Sequence, residues 1–124
     1  MKAFNYKVGK QGENIAREYL VKKGYTLVQA NFHNRYGEID LIMVKDSSLI
    51  FVEVKLKIGE QFGSPEEMIN SKKIWQVKKT AEAFLQQNQR LAQKYPEYQV
   101  DAVCIVLDEN QEIERINHWE NIEG

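Results

Sequence analysis

Apolar residues recur at helical spacing in two segments of this chain. The first segment, residues 7–23, predicts an amphipathic helix that ends at Gly24, with apolar or small positions at Gly12, Ile15, Ala16, Tyr19 and Leu20. The second begins with Asn70 or Ser71 as the capping residue and continues to about Gln93, with apolar positions at Ile74, Val77, Ala81, Phe84, Leu85 and Leu91. Between them, Ser64 followed by Pro65 predicts a short helix that ends near Asn70.

Short apolar runs predict five strands. They are residues 25–32, two runs within residues 36–57, residues 99–107 and residues 112–117. Polar residues 45–48 separate the second and third runs, as in a hairpin, so these two strands should pair antiparallel. The run 99–107 is nearly continuously apolar, which is typical of a central strand covered on both faces. The order αβββαββ predicts an α/β fold, a mixed sheet of about five strands flanked by helices, in one domain over residues 1–124.

Charged residues interrupt the second and third predicted strands. Because side chains alternate between the faces of a sheet, Asp40 should share a face with Glu38 and Ile42, and Glu53 should share one with Lys55. Antiparallel pairing of the hairpin then brings Asp40 near Glu53. These strands therefore predict a mixed acidic and basic cluster on one face of the sheet.

Such a cluster suits a metal ion and phosphate chemistry. Two neighbouring carboxylates repel each other, and a hard cation such as Mg²⁺ that binds between them relieves the repulsion. Such an ion polarises a phosphoryl oxygen and lowers the pKa of a bound water, as phosphodiester hydrolysis requires. Lys55 could orient or deprotonate that water or hold the phosphate. Spacing alone leaves an alternative open, because Glu-x-Lys is also common on exposed strands as a solvated ion pair.

Glu13 lies at the border of the apolar stripe of the first predicted helix. It could reach across to the sheet and join the acidic cluster. The helix macrodipole alone also favours a glutamate in the first turns of a helix, so both interpretations stay open at this point.

Charge, hydropathy and cysteine content indicate what the protein could bind and where in the cell it is expected. The formal net charge is −1, but residues 71–94 carry six Lys or Arg against one acid, which could form a surface that attracts phosphates. No apolar run is long enough to span a bilayer and no signal peptide is evident, so a cytoplasmic protein without a membrane association is expected. Cys104, the lone cysteine, cannot form an intramolecular disulfide and is expected in the core.

Several motifs together carry a resemblance to a known family. They are GENIAREYL, NFHNRYGEIDLIM, IFVEVKLK, FGSPEEMI, SKKIWQVKKTAEAFL and VDAVCI. With them the chain resembles the PD-(D/E)XK nuclease superfamily of restriction-endonuclease-like fold, and more closely the YraN-like uncharacterised bacterial proteins that are grouped with Holliday-junction resolvases. The resemblance implies that Asp40, Glu53 and Lys55 form the metal and catalytic triad, with Glu13 as an added acidic ligand or water contact.

The resemblance also implies a cofactor and a substrate. Mg²⁺ or Mn²⁺ would be the cofactor, DNA the partner with branched DNA as a candidate substrate, and a homodimer a candidate assembly. Arg35, Lys57 and Lys73 are the expected substrate contacts, and the role of Glu38 is left open. Two alternatives remain: a nucleic-acid-binding or scaffolding module of the same fold without turnover, and a structural ion-pair cluster in an unrelated α/β domain.

The remaining candidates are read as structural. His33 and His118 lack a partner at metal-ligand spacing, so both are expected in structural or surface positions. Trp75 and Trp119 could stack on bases, but aromatic residues at the edge of an element more often serve packing or an interface.

Overall fold

The computed structural model describes residues 2–122, with side chains from Lys7 onward. The elements in chain order are α1 (Lys2–Lys22), β1 (Thr26–Asn34), β2 (Gly37–Lys45), β3 (Ser48–Ile58), a 3₁₀ turn (Pro65–Met68), α2 (Ser71–Gln87), α3 (Gln89–Lys94), β4 (Glu97–Leu107) and β5 (Ile113–Trp119). Helix α1 begins earlier than the sequence predicted and ends at Lys22, two residues before Gly24, whose φ of +96° suits glycine. No helix within residues 2–122 has the length and apolar character needed to cross a membrane.

The five strands form one mixed sheet in the order β1-β2-β3-β4-β5. All neighbouring pairs are antiparallel except β3 and β4, which run parallel. A parallel pair needs a crossover, and α2 and α3 supply it. The predicted α/β class, with a five-stranded mixed sheet flanked by helices, is confirmed, and the architecture is consistent with a restriction-endonuclease-like fold. The middle strand is β3 rather than β4, although residues 100–107 of β4 are all buried as expected.

Helices cover both faces of the sheet, and each buries an apolar layer. On the face that we call the α1 face, Ala16 and Leu20 pack with sheet residues such as Val52 and Val103. On the opposite α2 face, the α2 residues pack with Phe51 of β3, and the buried members of this layer are Ile39, Ile42, Leu49, Phe51, Val77, Ala81, Phe84 and Val100. The sheet is therefore the central layer between two apolar cores.

Two helix boundaries differ from the prediction. The single helix expected up to about Gln93 is broken at Asn88, whose side-chain amide donates to the carbonyl of Phe84 at 2.9 Å. An asparagine that bonds the backbone of the preceding turn competes with helix continuation, which periodicity does not reveal. Ser64 makes no capping hydrogen bond, and the element after it is a 3₁₀ turn. The cap predicted for α2 is confirmed, since Asn70 accepts from the Lys73 backbone N–H at 2.9 Å.

Strict alternation fails in β2 around Asp40. Leu41 packs on the α1 face, whereas Ile39 and Ile42 both pack on the α2 face, so the strand rotates between them. On the neighbouring strand, Asn31 has a φ of +55°, which bends β1 at the same level. The pairing of β2 with β3 also begins only at Leu41, opposite Val52. Regular alternation therefore does not hold between Ile39 and Leu41, the two neighbours of Asp40.

Candidate functional site

Glu53 is a buried carboxylate near the middle of β3. Only 3% of its surface is exposed, and it follows Phe51 by two residues, which directs it to the α2 face. Its Oε1 lies 3.4 Å from the Lys55 Nζ and 3.7 Å from the Lys73 Nζ. The strand supplies the first lysine and the first turn of α2 supplies the second, so two elements meet at this carboxylate.

Asp40 lies where β2 separates from β3. Continued pairing would place Asp40 opposite Glu53, but the ladder stops one residue earlier. Asp40 Oδ2 instead accepts the Val54 backbone N–H at 2.7 Å. The side chain thus takes over a hydrogen bond of the sheet, fixes the strand separation and leaves its other oxygen available.

The two carboxylates influence each other electrostatically. Burial, and after it the negative charge of Asp40, raise the pKa of Glu53 to about 7, although Lys73 and Lys55 lower it. Burial likewise raises the pKa of Asp40, against the lowering effects of the Val54 N–H, Lys55 and Lys73. Repulsion between buried acids that is only partly offset by lysines is the condition in which a divalent cation binds favourably.

Glu13 reaches the same region from α1. The helix approaches the sheet closely at Gly12, where a Cβ would lie 3.2 Å from the Leu56 Cβ. Burial raises the pKa of the half-buried Glu13, and the charge of Asp40 raises it further, whereas a hydrogen bond from Asn31 lowers it. Glu13 therefore faces the acidic cluster, and the macrodipole is not the only influence on it. The charge of Glu38 also raises the pKa values of Glu13 and Asp40.

The other predicted substrate contacts lie on two separate elements. Lys57 is half-buried on β3 and follows Lys55 by two residues, so it points to the same face. Arg35 is in the exposed turn between β1 and β2, where its Nη2 donates to the Tyr36 hydroxyl at 2.7 Å and its guanidinium lies 4.9 Å from the centre of that ring. Among the contacts described for residues 7–122, neither side chain touches Glu53 or Asp40.

A second polar cluster, not foreseen from the sequence as a unit, lies between β4 and β5. Asp101 has no exposed surface, and its Oδ2 is 2.7 Å from the His118 Nε2. Its Oδ1 accepts from the Gln99 amide and the Asn121 backbone N–H. His118 was expected to be structural, and its partner carried a sequence signal: an aspartate inside a continuous apolar strand is buried and needs a donor.

This second cluster could also hold a metal ion. Among residues 2–122, the set of three His, Cys, Asp or Glu side chains whose donor atoms all lie within 4.8 Å is Asp101, His118 and Glu120. Glu13, Asp40 and Glu53 do not meet that spacing as a set of three within the described residues. In the second cluster the Asp101 and His118 side chains already make hydrogen bonds within the protein. Lys23 Nζ lies 3.1 Å from His118 Nδ1, and because an ammonium only donates, Nε2 carries the proton that it shares with Asp101.

Comparisons with known proteins agree on one family. A family model described as "Uncharacterised protein family UPF0102" matches residues 12–105, a span that includes Glu13, Asp40 and Glu53. A relative from Syntrophomonas wolfei, named UPF0102 protein, is 42% identical over 114 residues, which cover 92% of this chain and 95% of the relative. A UPF0102 protein from Caldicellulosiruptor bescii is 41% identical over 110 residues, with coverage of 89% and 91%. The chain belongs to the uncharacterised protein family UPF0102.

Proposed function

We propose that this protein is a Mg²⁺- or Mn²⁺-dependent nuclease that hydrolyses phosphodiester bonds in DNA, with branched DNA as the first substrate to test. One observation carries the proposal. The buried carboxylate of Glu53 and the half-buried carboxylate of Asp40 converge where the sheet separates, and Lys55 and Lys73 lie beside them. The two acids repel each other, and the two lysines offset this repulsion only in part, because the pKa of Glu53 stays raised to about 7.

The donor set fits a hard divalent cation. Asp40 and Glu53 would hold it, because both offer carboxylate oxygens and their mutual repulsion falls when a positive ion lies between them. Glu13 would contact a water of that ion. When bound, the ion supplies charge neutralisation at the phosphate and an acidified water.

The lysines perform the remaining tasks of the site. The Lys55 Nζ lies 3.4 Å from the Glu53 carboxylate, and its ammonium can hold a phosphate oxygen or donate to the attacking water and orient it. Lys72 and Lys73 occupy the first turn of α2, where the helix dipole disfavours a positive charge. A phosphate bound there would offset that cost, so the basic first turn favours a polyanionic substrate.

The test is cleavage of branched, flapped and single-stranded DNA in Mg²⁺ or Mn²⁺. Wild type should cleave at least one of these substrates, and Glu53→Gln and Lys55→Ala should not. Glu109→Gln is the matched control, because Glu109 is exposed in the turn between β4 and β5. Equal cleavage by wild type and Glu53→Gln would show that another protein or another site is responsible, and the proposal would be abandoned.

A second measurement assigns the ion to one of the two clusters. Mn²⁺ should raise the melting temperature of wild type and of Glu120→Gln, and it should not raise that of Asp40→Asn. Glu120 is exposed, so its replacement should leave the fold intact. The opposite pattern, with the Mn²⁺ effect lost only in Glu120→Gln, would place the ion in the Asp101 cluster.

A third outcome concerns the DNA substrates. If wild type binds DNA without cleaving it, the result would favour the non-catalytic nucleic-acid-binding module instead.

A further inference from the structure

An apolar cavity of about 360 Å³ opens on the α2 face of the sheet, next to the proposed site. We call it the Trp119 cavity, and its lining residues are Glu66, Ile69, Ile74, Ala102, Trp119 and Ile122. Its size falls in the range typical of pockets for small ligands. Four of the six lining side chains are large and apolar, so the cavity suits a flat, weakly polar group.

The Trp119 cavity lies beside the carboxylate site on the same face of the sheet. Ala102 of β4 is the pairing partner of Glu53, and paired residues of adjacent strands point to the same face. On the helix side, Ile74 directly follows Lys73, whose Nζ is 3.7 Å from Glu53. A ligand that reaches the carboxylates and lysines can therefore extend into the cavity without crossing the sheet.

The indole of Trp119 is held in place although it is 47% exposed. Its Nε1–H donates to Glu66 Oε2 at 3.1 Å, and Arg115 donates to both oxygens of the same carboxylate at 2.8 and 2.9 Å. Arg115 bridges two carboxylates, because its Nη2 also donates to Glu60 Oε1 at 2.6 Å, and its bonds lower the pKa of Glu66 to about 2. This network holds the indole as a fixed, exposed aromatic ring, which offers a stacking surface for a base.

We propose that the Trp119 cavity binds one unpaired nucleobase of the nucleic-acid chain whose phosphate lies at Asp40 and Glu53. A nucleotide has an anionic phosphate and a flat, weakly polar base. The protein presents lysines at the carboxylates, which suit the phosphate. Beside them it presents an apolar cavity with an aromatic wall, which suits the base. This inference rests on the proposed function and specifies its substrate as DNA with an unpaired base near the cleaved bond.

The test compares a short deoxythymidine oligonucleotide with the same chain carrying abasic residues. Binding is measured by fluorescence anisotropy in Ca²⁺, and gels check that no cleavage occurs. Wild type should bind the thymidine chain about 5- to 150-fold more tightly than the abasic chain, which is the range for one stacked base. Trp119→Ala should abolish this ratio, whereas Trp119→Phe should keep most of it because a ring remains.

Trp75→Ala is the matched control, since Trp75 is also an exposed tryptophan but does not line the cavity. It should leave the ratio of the two affinities unchanged. An equal ratio in wild type and Trp119→Ala would overturn the inference. A second result would also overturn it. If wild type is a dimer, and Trp119→Ala makes it monomeric without changing the ratio of affinities, then a second copy of the chain, and not a base, occupies this face.

Failure of this inference and failure of the proposed function give different results. A base-dependent affinity without cleavage by wild type in Mg²⁺ would refute the nuclease and leave the base-binding cavity standing. Metal-dependent cleavage with equal affinity for thymidine and abasic chains would refute the cavity and leave the nuclease standing.

Discussion

Replacing Glu53 with glutamine should stabilise the metal-free protein at alkaline pH. Burial and Asp40 raise the pKa of Glu53 to about 7 from an ordinary 4.5. The folded protein therefore holds a proton between these values that the unfolded chain has released, so stability falls as pH rises from 4.5 to 7 and the loss is complete above 7. Glutamine resembles the protonated acid and does not carry this cost.

The size of the effect follows from the same values. A difference between pKa values of 4.5 and about 7 corresponds to about 3 kcal/mol of unfolding free energy. This net value already includes the attraction of Lys55 and Lys73, since both lower the pKa of Glu53. At roughly 3–6 °C per kcal/mol for a chain of this size, the melting temperature should rise by about 9–18 °C.

The assay is urea unfolding in EDTA at pH 5 and pH 8. The free energy of unfolding of Glu53→Gln should be clearly higher than that of wild type at pH 8 and only slightly higher at pH 5. That of Glu109→Gln should equal the wild-type value at both pH values. Mn²⁺ at 1,000 times its Kd should then reverse the order at pH 8, because an ion that binds only the folded wild type adds about 4.1 kcal/mol at that concentration, which exceeds the advantage of Glu53→Gln. A Glu53→Gln protein that is less stable than wild type at pH 8 in EDTA would refute the reasoning.

Three further predictions concern other parts of the molecule. Asp101→Ala should cost about 2–4 kcal/mol in urea unfolding, because it leaves buried donors unpaired; a cost below 1 kcal/mol would show that water replaces the carboxylate. Gly37→Ala should cost about 1–3 kcal/mol in the same assay, since its Cβ would lie 2.9 Å from the Gln76 Cγ; an unchanged midpoint would mean that the glutamine moves away freely. Lys73→Gln should lower the DNA cleavage rate by about 10-fold or more, and Lys72→Gln should lower it much less. Equal effects of the two variants would show that Lys73 contributes only as one of several surface charges.

The proximity of Asp40 and Glu53 could be predicted because it depends on local features. A hairpin with a short polar turn sets the pairing register, and Lys45 indeed pairs with Ser48. What could not be predicted is that the ladder stops at Leu41 and that the Asp40 side chain replaces the lost pairing. That irregularity depends on the bend of β1 and on tertiary packing, which alternation does not encode.

Side-chain contacts explain the other differences between the sequence-based predictions and the structure. His118 appeared to lack a partner because Asp101 lies on another strand, 17 residues away in sequence. The approach of Lys73 to Glu53 depends on how α2 crosses the sheet, so the family resemblance, and not periodicity, indicated its role. The break at Asn88 arises from one side-chain hydrogen bond, which leaves no trace in the hydrophobic pattern.

A crystal soaked in Mn²⁺ and measured for anomalous scattering shows directly where the ion binds. We expect an anomalous peak coordinated by Asp40 and Glu53, with Glu13 within reach of a coordinated water, and no such peak in Glu53→Gln. A peak at Asp101, His118 and Glu120 with none at Asp40 and Glu53 would contradict this expectation.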